Sequence, residues 1–222
     1  MNKNRLKFDF QEKRKLKLHD NFNLDILDYL EIWNSSEKYF DSDRKFGYGG
    51  YSYDSRWKRI VKILIDEFKL NKSSTLLDAG CAKGYLVNDF EDDNNVGNAT
   101  GIDISLYALI KGKRDGVKGH LICSNITDMP FENKSFSLVF CKDTIHNMLN
   151  KNDCVKALKE IKRVGKNTWI RVGAYENNTQ KKILDKWASF AKTYLHVNEW
   201  LEIFDKADYN GNYDWFHPSE EI

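Results

Sequence analysis

The sequence predicts an α/β protein: a mostly parallel central sheet with helices on both faces, and a helical and loop segment ahead of it. Three observations carry the prediction. From residue 75 short apolar runs alternate with longer amphipathic ones, the pattern of strands alternating with helices. The short runs, such as LLDA and SLVF, lack the in–out alternation of a half-exposed strand, as expected where helices cover both faces. Finally, 222 residues, 41% of them hydrophobic, suffice for one such domain, with or without an extra arm. Crossovers between the strands are expected to be right-handed.

The elements follow in chain order. Lys3, Arg5, Lys7, Lys13, Arg14, Lys15 and Lys17 crowd the first seventeen positions. They read as a solvated arm, or as an arm that attracts an anionic substrate. FNLDILDYLEIW, 22–33, has helical spacing; with the arm it makes up a segment 1–45 ahead of the main domain, 46–222. FGYGGYSYDSRW, 46–57, is a glycine–tyrosine loop, and 56–70 a helix with Trp57, Ile60, Val61, Leu64, Ile65 and Phe68 on one face. TLLDAG is the first strand and GYLVNDFE the helix after it. ATGIDIS (99–105), GHLICSN (119–125), SFSLVFCKD (135–143) and NTWIRVGAY (167–175) are further strands. Ser105 caps a helix to about Lys113, and Asp153 opens one at 153–164. Helices near 179–192 and 198–207 and a strand near 212–217 close the chain.

Composition sets limits. A net charge of +2 does not suit wide contact with nucleic acid. No apolar segment approaches the roughly 18 residues of a membrane span, and the charged N-terminus shows no signal peptide. Cys81, Cys123, Cys141 and Cys154 form no C-x-x-C pair and read as reduced thiols of a cytosolic protein. No His, Cys and carboxylate cluster has metal-ligand spacing.

The stretch LLDAGCAKGYL, 76–86, carries the first functional signal. In an open α/β sheet the ligand sits beyond the carboxyl ends of the strands, where strand order reverses. Asp78 ends the first strand, and Gly80 and Gly84 flank the turn into the next helix. A dinucleotide site would need G-x-G-x-x-G, with its pyrophosphate on the helix N-terminus. Here Ala82 and Tyr85 stand where the later glycines would be, and Asp78 would repel a diphosphate. S-Adenosylmethionine carries no phosphate but a cationic amine and a sulfonium, which an acid beside a glycine turn suits.

LLDAGCAKGYL resembles the first motif, D/E-x-G-x-G-x-G, of the class I S-adenosylmethionine-dependent methyltransferases, with Ala82 in place of the middle glycine. The resemblance implies a Rossmann-like fold and a cofactor contact at Asp78, Ala79, Gly80, Cys81 and Gly84. GIDIS looks like the second motif, which implies that Asp103, 25 residues after Asp78, meets the ribose hydroxyls with Ile104 beside it. SNITDMPFENKSFSLVF is similar to G-D-A-x-x-L-P-F-x-x-x-S-F-D-x-V, which implies Asn125 at the adenine amine, backbone and apolar contact from Ile126, and Cys141 among the cofactor neighbours. The glycine–tyrosine loop stands where small family members place a lid: Gly47, Gly49 and Gly50 would let it swing, Tyr48, Tyr51 and Tyr53 would shield the methyl donor, and Arg56 would pair with the donor's carboxylate.

Methyl transfer asks for proximity and alignment, and for a base if the acceptor is a hydroxyl. CKDTIHNM follows the fourth strand and offers His146 as base, its ordinary pKa being near 6.5, with Asp143 as base or substrate orienter. Tyr175 and Glu176, at the end of the fifth strand, are further candidates at the acceptor. No N/D-P-P-Y/F follows strand four, which argues against a flipped nucleic-acid base as acceptor. The loop together with the YNGNYDWF tail is similar to small methyltransferases of bacterial surface-polysaccharide gene clusters, which implies a small acceptor, a sugar or nucleotide-linked sugar bearing phosphate. Two other readings stay open: a non-catalytic binding module on the same fold, and a nicotinamide-dependent oxidoreductase.

Overall fold

A computed structural model describes residues 4–8, 24–34, 36–93, 97–187, 191 and 193–217. The expected sheet is present: a seven-stranded sheet in the order β3–β2–β1–β4–β5–β6, with β7 also paired to β5. The strands are β1 Leu76–Ala79, β2 Ala99–Asp103, β3 His120–Cys123, β4 Phe136–Lys142, β5 Gly165–Tyr175, β6 Leu195–His196 and β7 Asn212–Phe216. Every strand pair among the described residues is parallel. The eleven residues of β5 hold two neighbours on one edge, β7 along Trp169–Gly173 and β6 along Ala174–Tyr175.

The helices are α1 Ile26–Trp33, α2 Glu37–Asp41, α3 Trp57–Phe68, α4 Tyr85–Glu91, α5 Leu106–Arg114, α6 Lys151–Val164, α7 Asn178–Trp187 and α8 Val197–Lys206. Two differ from expectation at their starts. The first helix begins at Ile26 rather than 22, because Asp25 and Asp28 form a reciprocal capping box. α6 begins at Lys151, with Asn150 rather than Asp153 as its cap. Ser105 caps α5 as expected, its hydroxyl accepting from Ala108 N–H at 3.1 Å.

Two apolar layers sandwich the sheet. Leu77, Ala79, Val139, Ile170 and Val172 pack under Ala157, Leu158 and Ile161 of α6 and Trp200, Ile203 and Phe204 of α8. Leu76, Leu138, Phe140 and Trp169 pack under Ile60, Val61 and Leu64 of α3 and Leu86, Val87 and Phe90 of α4. Adjacent strand residues thus face opposite layers, and both layers are closed, which is why the strands read as continuous apolar runs.

The N-terminal arm departs from a solvated segment over residues 4–8. Leu6 N–H donates to the Tyr213 carbonyl at 2.9 Å and Tyr213 N–H to the Asn4 carbonyl at 3.1 Å, so this segment runs parallel along the free edge of β7. Phe8 is buried and stacks on Trp169, ring centroids 5.0 Å apart. Lys3, Lys13, Arg14, Lys15 and Lys17 lie outside the described residues.

Candidate active site

Strand order reverses between β1 and β4, so the ligand cleft of such a sheet lies at their carboxyl ends. The turn after β1 is built on left-handed backbone: Gly80 at φ +86°, Ala82 at +51° and Gly84 at +78°. At Gly80 the missing Cβ makes room for Thr144, whose side chain it would overlap. The loop after β4 is therefore seated on the turn after β1. Ala82 N–H donates to Asp103 Oδ2 and Ser105 N–H to Asp103 Oδ1, both at 2.8 Å. The ends of β1 and β2 are thus locked together by the acid assigned to the ribose. The Ile104 N–H adds a third bond to this carboxylate, so of its about four acceptor sites one remains. Burial raises the Asp103 pKa. It raises that of buried Asp78 too, which with the neighbouring Asp103 charge reaches about 8, Lys142 working against the shift.

The other expected cofactor neighbours fall into two groups. Ile104 projects outward beside Asp103, 65% exposed. Asn125 is exposed, but its Oδ1 already accepts from Thr127 N–H at 3.0 Å. The oxygen expected to meet an adenine amine is shared with its own turn. Ala79, Cys81, Ile126 and Cys141 are buried; the Cys81 sulfur fills the space beneath Gly101, and Ile126 and Cys141 belong to the layer under α6. These act as packing around the turn.

The glycine–tyrosine loop covers the turn, but not as expected. Lys83, inside the turn, is almost wholly buried. Its Nζ donates to Asp41 Oδ1 of α2 at 2.5 Å and to the Tyr51 carbonyl at 2.6 Å. Asp41 also accepts from the Tyr107 hydroxyl at 2.8 Å. The Tyr51, Tyr85 and Tyr48 rings follow one another with centroids 5.0 Å apart at each step, Tyr51 being the middle one. Tyr51 is thus fastened, and Tyr53 with it: the Tyr53 hydroxyl bonds Asp89 on α4, and its ring packs on Tyr85. Arg56 folds back onto Asp54. Tyr53 and Arg56, expected at the methyl donor, instead anchor the loop to α4 and the start of α3. A groove of about 610 Å³ runs between residues 49–53 and α4–α5, with Lys83 and Tyr85 in its wall. Facing the turn are Tyr39, whose hydroxyl burial and the Asp103 charge push up to about 12, and Tyr48, stacked on Phe40.

At the end of β4, Asp143 is held by Arg171 of β5 through Nε at 2.8 Å and through Nη2, and by Lys142 Nζ at 2.7 Å. Burial alone would raise its pKa, but Arg171 and Lys142 hold it far below the usual carboxylate range. This corrects the expectation of Asp143 as a base: it is a clamped anion joining β4 to β5. His146 is buried in a short 3-10 turn at 145–147. Gly173 N–H donates to its Nδ1 at 2.9 Å, so the neutral ring carries its proton on Nε2. Burial lowers its pKa to about 4, Asp143 opposing. In this arrangement His146 is a hydrogen-bond donor rather than the expected base. Tyr175 and Glu176 lie at the β6 end of the sheet, the Tyr175 ring against His196, 5.6 Å between centroids, and Glu176 beside His217.

Lys83, Asp41, Tyr39, Thr144 and Arg171 escaped sequence reasoning. Lys83 alone left a local trace, a lysine between the glycines of an otherwise apolar turn. The rest are set by partners 28 to 64 positions away: Arg171 by Asp143, Asp41 by Lys83, Tyr39 by Asp103 and Thr144 by Gly80.

This arrangement, a parallel sheet with an acid and a glycine turn at the end of β1, a second acid at the end of β2 and helices on both faces, is the Rossmann-like fold of the class I methyltransferases. Within it, residues 77–168 match the family model described as a methyltransferase domain. Over 107 residues the chain is 36% identical to an uncharacterized protein of Methanocaldococcus jannaschii, covering 48% of this chain and 43% of that protein. Over 136 residues it is 26% identical to a malonyl-[acyl-carrier protein] O-methyltransferase of Legionella pneumophila, covering 60% of this chain and 47% of that enzyme. The chain thus spans less than half the length of these two relatives. Among solved structures, YcgJ of Bacillus subtilis shares the fold with a TM-score of 0.54 at 17% identity, over 67% of each chain. The [4+2]-cyclase SpnF shares it with a TM-score of 0.52 at 19% identity, over 82% of this chain and 69% of that one.

Proposed function

We propose that this chain binds S-adenosylmethionine at the carboxyl ends of β1, β2 and β4 and methylates oxygen or nitrogen of a small polar acceptor. One observation carries the reading: buried Asp78 and partly buried Asp103 are two neighbouring carboxylates at a glycine turn, each with a raised pKa. Such a pair calls for a cation. The amine and sulfonium of S-adenosylmethionine supply one, whereas the diphosphate of a nicotinamide dinucleotide would add charge of the wrong sign. Exposed Ile104 beside Asp103 offers apolar surface to an adenine ring. Bound there, the cofactor brings a methyl group already activated by its sulfonium. The chain's part is to hold it, align the acceptor and keep water out. The methyl passes to the acceptor atom, S-adenosylhomocysteine remains, and the acceptor's proton leaves to solvent.

A sugar or nucleotide-linked sugar of surface-polysaccharide synthesis is the acceptor that sequence resemblance suggests. Tyr209, Tyr213 and Trp215 of the tail are core residues, so what supports a sugar is the glycine–tyrosine loop alone. The buried thiols Cys81, Cys141 and Cys154 support a reducing, cytoplasmic setting. No helix among the described residues is long and apolar enough to cross a membrane. One observation favours a second reading, a binding module without turnover: neither His146 nor Asp143 is available as a base. The shared fold of a [4+2]-cyclase likewise separates fold from reaction.

The test is titration calorimetry with S-adenosylmethionine. Asp78 has a folded pKa of about 8 against an ordinary 3.8, so at pH 7 it is protonated in the free protein. A bound cation favours the carboxylate, so binding should release about one proton, seen as a heat that varies with buffer ionisation enthalpy. Affinity should rise with pH up to about 8. No binding, or binding without proton release, overturns the cofactor assignment. Binding without S-adenosylhomocysteine release over a panel of acceptors supports the module.

A further inference from the structure

The groove between residues 49–53 and α4–α5 has the size of a small-molecule site, about 610 Å³. It is distinct from the cofactor cleft: Asp78, Gly80 and Asp103 are not among its lining residues. Gly50 shows how open it is, since a Cβ placed there would meet nothing within 4 Å.

Its charges cancel. Lys83 pairs with Asp41 at 2.5 Å and Lys111 with Asp115 at 2.6 Å, one cation to one carboxylate, so no net charge is left for an ion to neutralise. Hydrogen-bonding capacity remains on both the donor and the acceptor side. Buried Lys83 spends two of its three N–H groups, on Asp41 and on the Tyr51 carbonyl. Lys111, its side chain 40% exposed, spends one on Asp115. Asp115 accepts one bond on each oxygen, from Lys111 and from the Tyr85 hydroxyl at 3.1 Å, about half of what a carboxylate can take. Ser52, exposed at the rim, adds a hydroxyl that donates and accepts. Apolar surface comes from phenol rings. Tyr51 and Tyr53 each pack on Tyr85, with centroids 5.0 and 5.6 Å apart, and Tyr53 faces outward, 40% exposed.

A ligand that matches this wall is uncharged. It presents C–H groups to the rings and carries several groups that donate and accept at once. Hydroxyls on a saturated ring meet these demands together. A phosphate or carboxylate would bring its charge beside Asp41 and Asp115 with no cation left to match it. We propose that the groove binds a neutral sugar ring, lying against Tyr53 with its hydroxyls on Lys83, Lys111, Asp115 and Ser52. As the place where a sugar unit of the acceptor docks, the groove rests on the methyltransferase reading above; as a sugar site it stands by itself.

The experiment uses the full chain without cofactor. Methyl glucoside, methyl galactoside and N-acetylglucosamine are the probes. Glycerol, cyclohexanol and glucose 6-phosphate are the controls, for hydroxyls without a ring, a ring with a single hydroxyl, and added charge. Tyrosine NMR with labelled rings follows the Tyr53 signal, assigned with Tyr53→Phe. At least one neutral sugar should shift that signal saturably and bind more tightly than all three controls. A lost hydrogen bond costs about fivefold in affinity between neutral groups and about tenfold or more to a charged one. Ser52→Ala should therefore weaken the sugar about fivefold and Lys111→Met about tenfold, with melting curves close to the parent's, since both residues lie on the rim. No saturable shift with any neutral sugar, unchanged affinity in both variants, or a control bound as tightly as the sugars overturns the site. S-Adenosylhomocysteine is titrated separately; its failure to bind overturns the cofactor reading and leaves the sugar site standing.

Discussion

Ala82 holds a left-handed conformation, φ +51°, that is costly for a residue with a Cβ. The strain is about 1–2 kcal/mol, and the buried methyl returns about 0.8 kcal/mol. Ala82→Gly should therefore change stability by no more than about 1 kcal/mol and keep S-adenosylmethionine affinity, as read by urea unfolding and calorimetry. Gly80→Val is the contrasting case. Valine is an outlier at φ +86°, and its Cβ would displace Thr144. Unfolding should become easier by at least about 2 kcal/mol, and cofactor binding should be lost; normal binding by Gly80→Val would remove the turn from the site. At this scale the sequence was legible where a residue type is demanded by backbone geometry or by charge at a strand end, as at Gly80, Gly84, Asp78 and Asp103. It was not legible for His146, because the Gly173 N–H that turns the imidazole into a donor comes from another strand.

Six of the strands and the long helices were readable because apolar period reports burial on the sheet, and they stand within a few residues of where the runs place them; the two-residue β6 was not. The short elements left no such trace. α2 and the 3-10 turns at 44–46 and 145–147 have three to five residues each, too few for a period, and are held by distant side chains. The covering segment shows what this means for motion. A freely swinging loop at 46–56 is excluded at its far end, where Lys83 ties Asp41 and Tyr51 to the turn after β1. The stretch between these two ties, 42–50, is held to α2 by the Tyr48 and Gly50 N–H groups, which donate to the Tyr39 and Phe40 carbonyls at 2.9 and 3.1 Å, and it contains the trypsin sites Arg44 and Lys45. Lys83→Met keeps the buried volume but drops the ion pair. A loss of closing free energy of only ~1.4 kcal/mol multiplies the open population tenfold. Trypsin should thus cut after Arg44 or Lys45 about ten times faster in Lys83→Met than in the parent, and S-adenosylhomocysteine should slow the cut in the parent. Equal rates would mean that the aromatic packing of Tyr48, Tyr51 and Tyr85 and the backbone bonds to α2 hold the segment without Lys83.

Across the whole molecule, the chain's first described residues finish its last strand. Residues 4–8 lie along β7, which lies along β5, and β5 carries Arg171, Gly173 and Tyr175 toward the ligand side. Nothing local predicts this: the segment is rich in Lys and Arg, and its one large aromatic finds its partner 161 positions away, at Trp169. The contact is nonetheless well built. Phe8 stacks on Trp169, which stacks in turn on Phe140, centroids 5.0 Å apart, and Trp169 Nε1 donates to the Leu6 carbonyl at 2.9 Å. Arg5 meets buried Asp214 at 3.4 Å. The segment therefore behaves as part of the sheet rather than as a free basic tail. Truncating a buried Phe costs about 3–5 kcal/mol in a core; at an edge that can relax, Phe8→Ala should fall near the lower end, about 3 kcal/mol, in urea unfolding followed by Trp fluorescence. If the segment shares the cooperative unit, the Trp169 environment and the helical signal will be lost at one midpoint in both proteins. A substitution that leaves the midpoint unchanged would show that the sheet is complete without this strand. Arg5 and Lys7 would then be available to attract an anionic acceptor toward the cleft.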